Sequence, residues 1–199
     1  MWGFQYNNTS VDGYNCVVPD IVTVGKPFGN GMPLAALVTT REVADAFDTM
    51  NVEYFNTFGG NPVCAASGLA VLNVLEGENL QQNAQIVGTY LMSRLEMLRD
   101  NINMIGDVRG SGLFIGIDLV KNRMTKEPAT REASYLCTTL KTKYQILTSL
   151  DGPCSNVFVI KPPLVFSKKD ADYFVESLER AIVEDLPQMD FSKVSHTPT

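Results

Sequence analysis

Lys26 is the residue of this sequence best placed to do chemistry. It follows a β-branched, nearly continuous apolar run, Val17 to Val24, and lies in a loop that also holds Gly25, Pro27, Gly29 and Gly31. Open α/β sheets bind ligands beyond the carboxyl ends of their strands. An amine held there and partly withdrawn from water loses its proton more readily and becomes a nucleophile for a carbonyl carbon. A second stretch, Asn56-Thr57-Phe58-Gly59-Gly60-Asn61-Pro62, combines a hydroxyl, backbone N–H groups, two glycines and a helix start. Those are the ingredients of an anion pocket sized for one phosphate.

Other chemistries are disfavoured. The one histidine, His196, sits in a polar tail, which removes His-based triads and His/Cys metal clusters. Cys16, Cys64, Cys137 and Cys154 have no CxxC spacing, so no metal is expected and reduced thiols are the simple reading. Sixteen basic against 22 acidic side chains, with no Lys/Arg cluster, argue against nucleic acid as a partner. No apolar run approaches the ~18–20 residues needed to cross a bilayer, and no targeting segment is visible at the start.

The elements that must position Lys26 and the 56–62 loop follow from periodicity. Val17–Val24 reads as a strand buried on both faces, part of a parallel α/β layer. An apolar run at 34–39 and a short helix opening at Thr40 come next. Asn61 caps a helix over 63–75, with Pro62 at its first position. Residues 79–100 form a long amphipathic helix with Ile86, Tyr90, Leu91, Leu95 and Leu98 at helical spacing. From 104 to 120 the pattern is glycine-punctuated and strand-like. A helix over 132–144, strands at 145–148 and 157–161, and a helix opening with a capping box at Ser167 and Asp170 complete the chain. The expected fold class is α/β. Residues 1–100 would form one part including the long helix, 101–187 a small α+β domain, and 188–199 a polar tail.

Three segments together resemble the class III pyridoxal-phosphate aminotransferases. Asp20 to Lys26 with Gly29-Asn30-Gly31-Met32-Pro33 resembles the family's lysine segment. Asn56 to Pro62 resembles its phosphate loop, and Asp107 to Gly116 (DVRGSGLFIG) its small-domain strand motif. The likeness runs in order from Trp2 to about Leu186. It implies a fold-type I PLP-transferase with a partial large domain and a small C-terminal domain. It also implies pyridoxal 5'-phosphate as cofactor, bound to Lys26 as a Schiff base, with Asn56 and Thr57 as further cofactor-binding residues. Freed by substrate, the Lys26 amine would move the proton at the substrate carbon. Thr57 would hold the phosphate of the neighbouring subunit, so the resemblance implies a homodimer with a shared active site acting on a small-molecule amine. A mitochondrial location is the family expectation, with the cytoplasm as the alternative.

Two departures shape the functional expectation. The family's acidic partner of the pyridine nitrogen and its other phosphate loop have no counterpart after Met1, so the chain is expected to be the carboxyl-terminal part of a longer enzyme. Relatives that transaminate α-amino acids carry an arginine where Val159 stands in Phe158-Val159-Ile160-Lys161-Pro162-Pro163, and valine cannot fork onto a carboxylate. The residues at 53–58 and 68–76 resemble the alanine–glyoxylate-aminotransferase-2-like branch, which includes phospholyases of ethanolamine phosphate and phosphohydroxylysine. The expected activity is therefore phosphate elimination. A transaminase, or a truncated non-catalytic subunit, is the alternative. Remaining residues receive plain expectations: Arg109 bonds a loop, Asp107 and Asp118 have no partner placed by spacing, Cys64 packs, Trp2 lies in the core, and Lys161 is a strand-end lysine or meets an anion.

Overall fold

The computed structural model describes residues 18–188. The expected placement of Trp2 and the environment of Cys16 lie outside them. The chain forms two compact units that divide between Asn79 and Leu80.

The first unit begins with strand β1 (Ile21–Val24), which pairs antiparallel with β2 (Ala36–Thr39), Ile21 opposite Thr39 and Val24 opposite Ala36. This corrects the expected parallel, doubly buried strand. The 25–35 connection is too short for the crossover that a parallel pair requires, and β1 alternates between exposed and half-buried positions. Helix α1 (Arg41–Thr49) is capped by Thr40, whose hydroxyl accepts from the Val43 N–H. Helix α2 (Pro62–Gly77) is capped by Asn61, as the sequence indicates. Ser67 Oγ donates to the Gly29 carbonyl at 2.9 Å, and a Cβ on Gly68 would run into Leu34. Those contacts fix the Lys26 loop on α2.

The second unit opens with α3 (Leu80–Asn101), followed by the hairpin β3 (Ile105–Ser111) and β4 (Phe114–Asn122). A two-residue strand β5 (Glu127–Pro128), helix α4 (Thr130–Lys143), strands β6 (Ser149–Asp151) and β7 (Val157–Ile160) and helix α5 (Lys168–Arg180) complete it. The strands run in the order β3-β4-β7-β6, with β5 against β4, and every pair is antiparallel. Inward-facing Val108, Ile117 and Phe158 share one buried core with Leu91, Leu95 and Leu98 of α3, Leu136 and Leu140 of α4, and Phe174, Val175 and Leu178 of α5. Each such side chain contributes about 1.5–3 kcal/mol on burial. Ile86, expected on the packed stripe of α3, is instead half exposed; Val87, one residue on, takes the core position. The contacts of α3 lie with β3 and α5.

The expected strand at 145–148 starts later, at Ser149. Gln145 adopts a left-handed φ of 57° and the Ile146 N–H reaches back to the Leu140 carbonyl at 2.9 Å. This closure, between residues six apart, commits residues 145–146 to ending α4. At the far end, Ser167 and Asp170 form the capping box of α5, and Phe174, Val175, Leu178, Ala181 and Ile182 are buried as their spacing requires.

Candidate active site

Lys26 opens a short 3₁₀ turn, Lys26–Gly29, directly after β1. Pro27 sets the turn's start, Asn30 takes a left-handed φ of 46° and Gly31 a φ of 106°. The position at a strand end agrees with the sequence; the burial does not. Lys26 is exposed among the described residues, because β1 is itself half uncovered. The withdrawal from water expected of its amine is therefore not provided by those residues.

The loop before α2 is organised by two asparagines. Asn56 Oδ1 accepts from the Phe58 N–H at 2.9 Å and the Gly59 N–H at 3.1 Å, and the Asn56 carbonyl accepts from Gly59 as well. Asn61 Oδ1 accepts from the Val63 and Cys64 N–H groups at 3.0 and 3.2 Å, while the Asn61 N–H donates to the Phe58 carbonyl. The helix-start amides expected to hold an anion are thus occupied from within. Among the described residues, the Thr57 hydroxyl, the Thr57 N–H and the Gly60 N–H have no hydrogen-bond partner, and Thr57 is exposed. Gly60 adopts a φ of 71° that favours glycine. No hydrogen bond or ion pair joins Lys26 to Asn56 or Thr57.

In the second unit, the sheet face opposite the core carries Asp107, Arg109, Asp118, Val157 and Val159. Arg109 does not bond a loop. Its guanidinium lies 2.8 Å from Asp107 and 3.6 Å from Asp118, and the Asp107 hydrogen bond holds it above its ordinary pKa. Asp107 and Asp118, left without partners by their spacing, stand directly opposite each other across the hairpin. Two residues along one strand share a face, so the i, i+2 step from Asp107 to Arg109 was the signal available. Asn156 secures the far side, donating to Asp118 Oδ1 at 2.6 Å and to the Leu119 carbonyl at 2.8 Å.

Val159 lies opposite Gly116 and Ser149. It lines an open hollow of about 650 Å³ together with Lys161, Pro162, Pro163, Phe166 and Tyr173. Lys161 Nζ stands 6.0 Å over the Phe114 ring, a weak cation–π contact that leaves its three donors available. Among the described residues no group of three or more His, Cys, Asp or Glu side chains could hold a metal ion. Among the described residues, no helix is long and apolar enough to cross a membrane.

Comparison with known proteins extends this geometry. Residues 10–182 match the family model for aminotransferase class-III. An Arabidopsis thaliana protein named alanine–glyoxylate aminotransferase 2 homolog 2, mitochondrial, is 48% identical over 178 residues, 89% of this chain and 35% of that protein. A Caenorhabditis elegans protein named ethanolamine-phosphate phospho-lyase homolog 1 is 44% identical over 171 residues, 86% of this chain and 36% of that one. The solved structure of a phospholyase from Arthrobacter in complex with phosphoethanolamine matches with a TM-score of 0.79 at 40% identity, covering 87% of this chain and 40% of the other. The chain spans about a third of the length of these curated relatives. A fold-type I unit pattern, a lysine at a strand end and a family match over most of the sequence agree: the chain belongs to the class-III aminotransferases, a family of pyridoxal-phosphate-dependent enzymes.

Proposed function

We propose that this chain serves a pyridoxal-phosphate enzyme that eliminates phosphate from a phosphorylated primary amine such as ethanolamine phosphate. Lys26 is the residue to which the cofactor attaches, and the Asn56–Asn61 loop seats its phosphate. The observation carrying the cofactor reading is the donor census of that loop. With four amides engaged by Asn56 and Asn61, the hydroxyl and N–H of Thr57 remain as a matched pair of donors for one phosphate. The residues fit the cofactor: an uncommitted amine for its carbonyl carbon and a hydroxyl–amide pair for its anion.

When bound, the cofactor supplies the electron sink for the bond broken at the amine-bearing carbon. The chain's own groups do the rest. Lys26 Nζ takes the proton from that carbon and delivers a proton to the neighbouring carbon that loses phosphate, and Thr57 fixes the phosphate end so that both carbons lie in reach. Val159 supplies no guanidinium for an α-carboxylate, which favours an amine that lacks one. Loss of the carbon-bound proton then expels phosphate with the C–O electron pair. Phosphoethanolamine and water give acetaldehyde, ammonia and inorganic phosphate. The phospho-lyase name of the nematode relative and the ligand of the Arthrobacter structure support this substrate class. A homodimer in which Thr57 serves the neighbouring subunit, and a mitochondrial setting like that named for the Arabidopsis relative, belong to the same proposal.

The test is direct. Incubation with pyridoxal phosphate and borohydride should leave a reduced pyridoxyl group on Lys26 by mass spectrometry, and Lys26→Ala should lose it. An adduct elsewhere, or none, overturns the cofactor reading and leaves a non-catalytic subunit. Release of inorganic phosphate from phosphoethanolamine supports the lyase; amine transfer that requires a keto acid, without phosphate release, makes the enzyme a transaminase.

A further inference from the structure

We infer that Asn56 is a positioning residue for Thr57 and does not itself contact the cofactor. The inference rests on the reading of Thr57 as the phosphate seat. It departs from the sequence expectation, which grouped Asn56 with the cofactor-binding residues.

The argument is geometric. Asn56 Oδ1 takes the N–H groups of Phe58 and Gly59 at 2.9 and 3.1 Å, so its acceptor is turned inward on its own loop, a turn closed by an asparagine side chain. An acceptor also cannot bond a phosphate oxygen. Its Nδ2 carries two N–H donors, one of which goes to the Tyr54 hydroxyl at 3.4 Å. Thr57 is the residue bracketed by the two ends of this closure. Removing the Phe58 and Gly59 amides from competition leaves Thr57 as the site where hydroxyl and N–H are offered together. The 54–60 stretch is exposed throughout and makes few other internal bonds. Besides the Asn56 side chain, the backbone bonds that restrain Thr57 among the described residues are the Gly59 N–H to the Asn56 carbonyl and the Asn61 N–H to the Phe58 carbonyl. Without the Asn56 closure the loop must be ordered at the moment the phosphate binds, and that entropy weakens binding.

Comparing pyridoxal phosphate with pyridoxal, which lacks the phosphate, isolates this effect. The fraction of full chain trapped on Lys26 by borohydride is measured by mass spectrometry across a titration of each probe. Asn56→Ala is expected to lower the preference for the phosphorylated probe by roughly fivefold or more, with pyridoxal trapping unchanged. Asn56→Ser, whose hydroxyl can still accept from the Phe58 N–H, should recover part of it. Thr57→Ala should abolish the preference. If Thr57→Ala collapses the preference and Asn56→Ala leaves it intact, the positioning role is wrong while the phosphate seat stands. If Asn56→Ala raises the preference, the freed amides are the better anion donors and the inference is wrong. Equal loss for both probes would show a general folding role and overturn it too. If Thr57→Ala has no effect on the preference, the seat itself is misassigned and the inference falls with it.

Discussion

Asp185 is a buried carboxyl of the second unit that is ion-paired to Lys143. Its Oδ1 accepts from Lys143 Nζ at 2.6 Å and its Oδ2 from the Tyr144 hydroxyl at 2.9 Å. The Lys143 hydrogen bond holds the carboxyl below the usual carboxylate range, and burial, followed by the Asp185 bond, pushes the Tyr144 hydroxyl up. A carboxyl that ionises more easily folded than unfolded stabilises the fold above the ordinary Asp value of about 4. That contribution disappears as pH falls through the folded value. Asp185→Asn is therefore expected to cost about 1–2 kcal/mol at pH 7, with the gap to wild type in urea melts closing as pH is lowered toward 3. Lys143 has the opposite sign: its pKa is raised by the same bond, so its share is complete below the ordinary lysine value and fades as pH rises through the folded one. None of this was legible beforehand, because Lys143 and Asp185 are 42 positions apart and meet only once α4 and the α5 extension are packed. Lys26 and Thr57 stand out in the sequence as candidates, since each is announced by its immediate neighbours. The burial of Lys26 was not, because it depends on what lies over β1.

Elements whose signals are local appeared where the sequence placed them. Thr40, Asn61 and Ser167 each cap the helix they precede, because an N-cap needs only a side-chain oxygen two or three residues ahead of a free amide. Ser167→Ala is expected to destabilise the chain by about 1 kcal/mol, measured by chemical denaturation. Elements settled at a distance were misjudged. None of the residues 145–148 expected in a strand entered one, since the closure of α4 takes 145–146 and the strand begins only at Ser149, a competition invisible in an apolar run. Gly88 drew no notice in the sequence, yet a Cβ there would run into the backbone of Gly112 at the β3–β4 turn. Backbone gives way less than a side chain tip, so Gly88→Ala is expected to cost about 2 kcal/mol or more despite the better helix propensity of alanine. A urea midpoint equal to or above wild type would show that α3 can shift away from the turn.

At the scale of the whole molecule, the two units are unequally filled. From Leu80 onward a continuous core joins α3, α4, α5 and the sheet. Over residues 18–79 the one buried apolar side chain is Cys64, while Leu37, Val38, Phe55, Val63, Leu69 and Leu72 remain exposed. The sequence could not reveal this imbalance, since an apolar residue reads the same whether or not something covers it. The fold class was recoverable because the order of segments survives that ambiguity. The imbalance also has a calorimetric signature. Unfolding enthalpy scales at about 0.7 kcal/mol per ordered residue near 60 °C, and it arises where packing is lost. Heated by itself, the chain should show one endotherm whose area corresponds to about 110 residues rather than to all 199, preceded by a sloping baseline as the sparsely packed portion loosens without a latent-heat step.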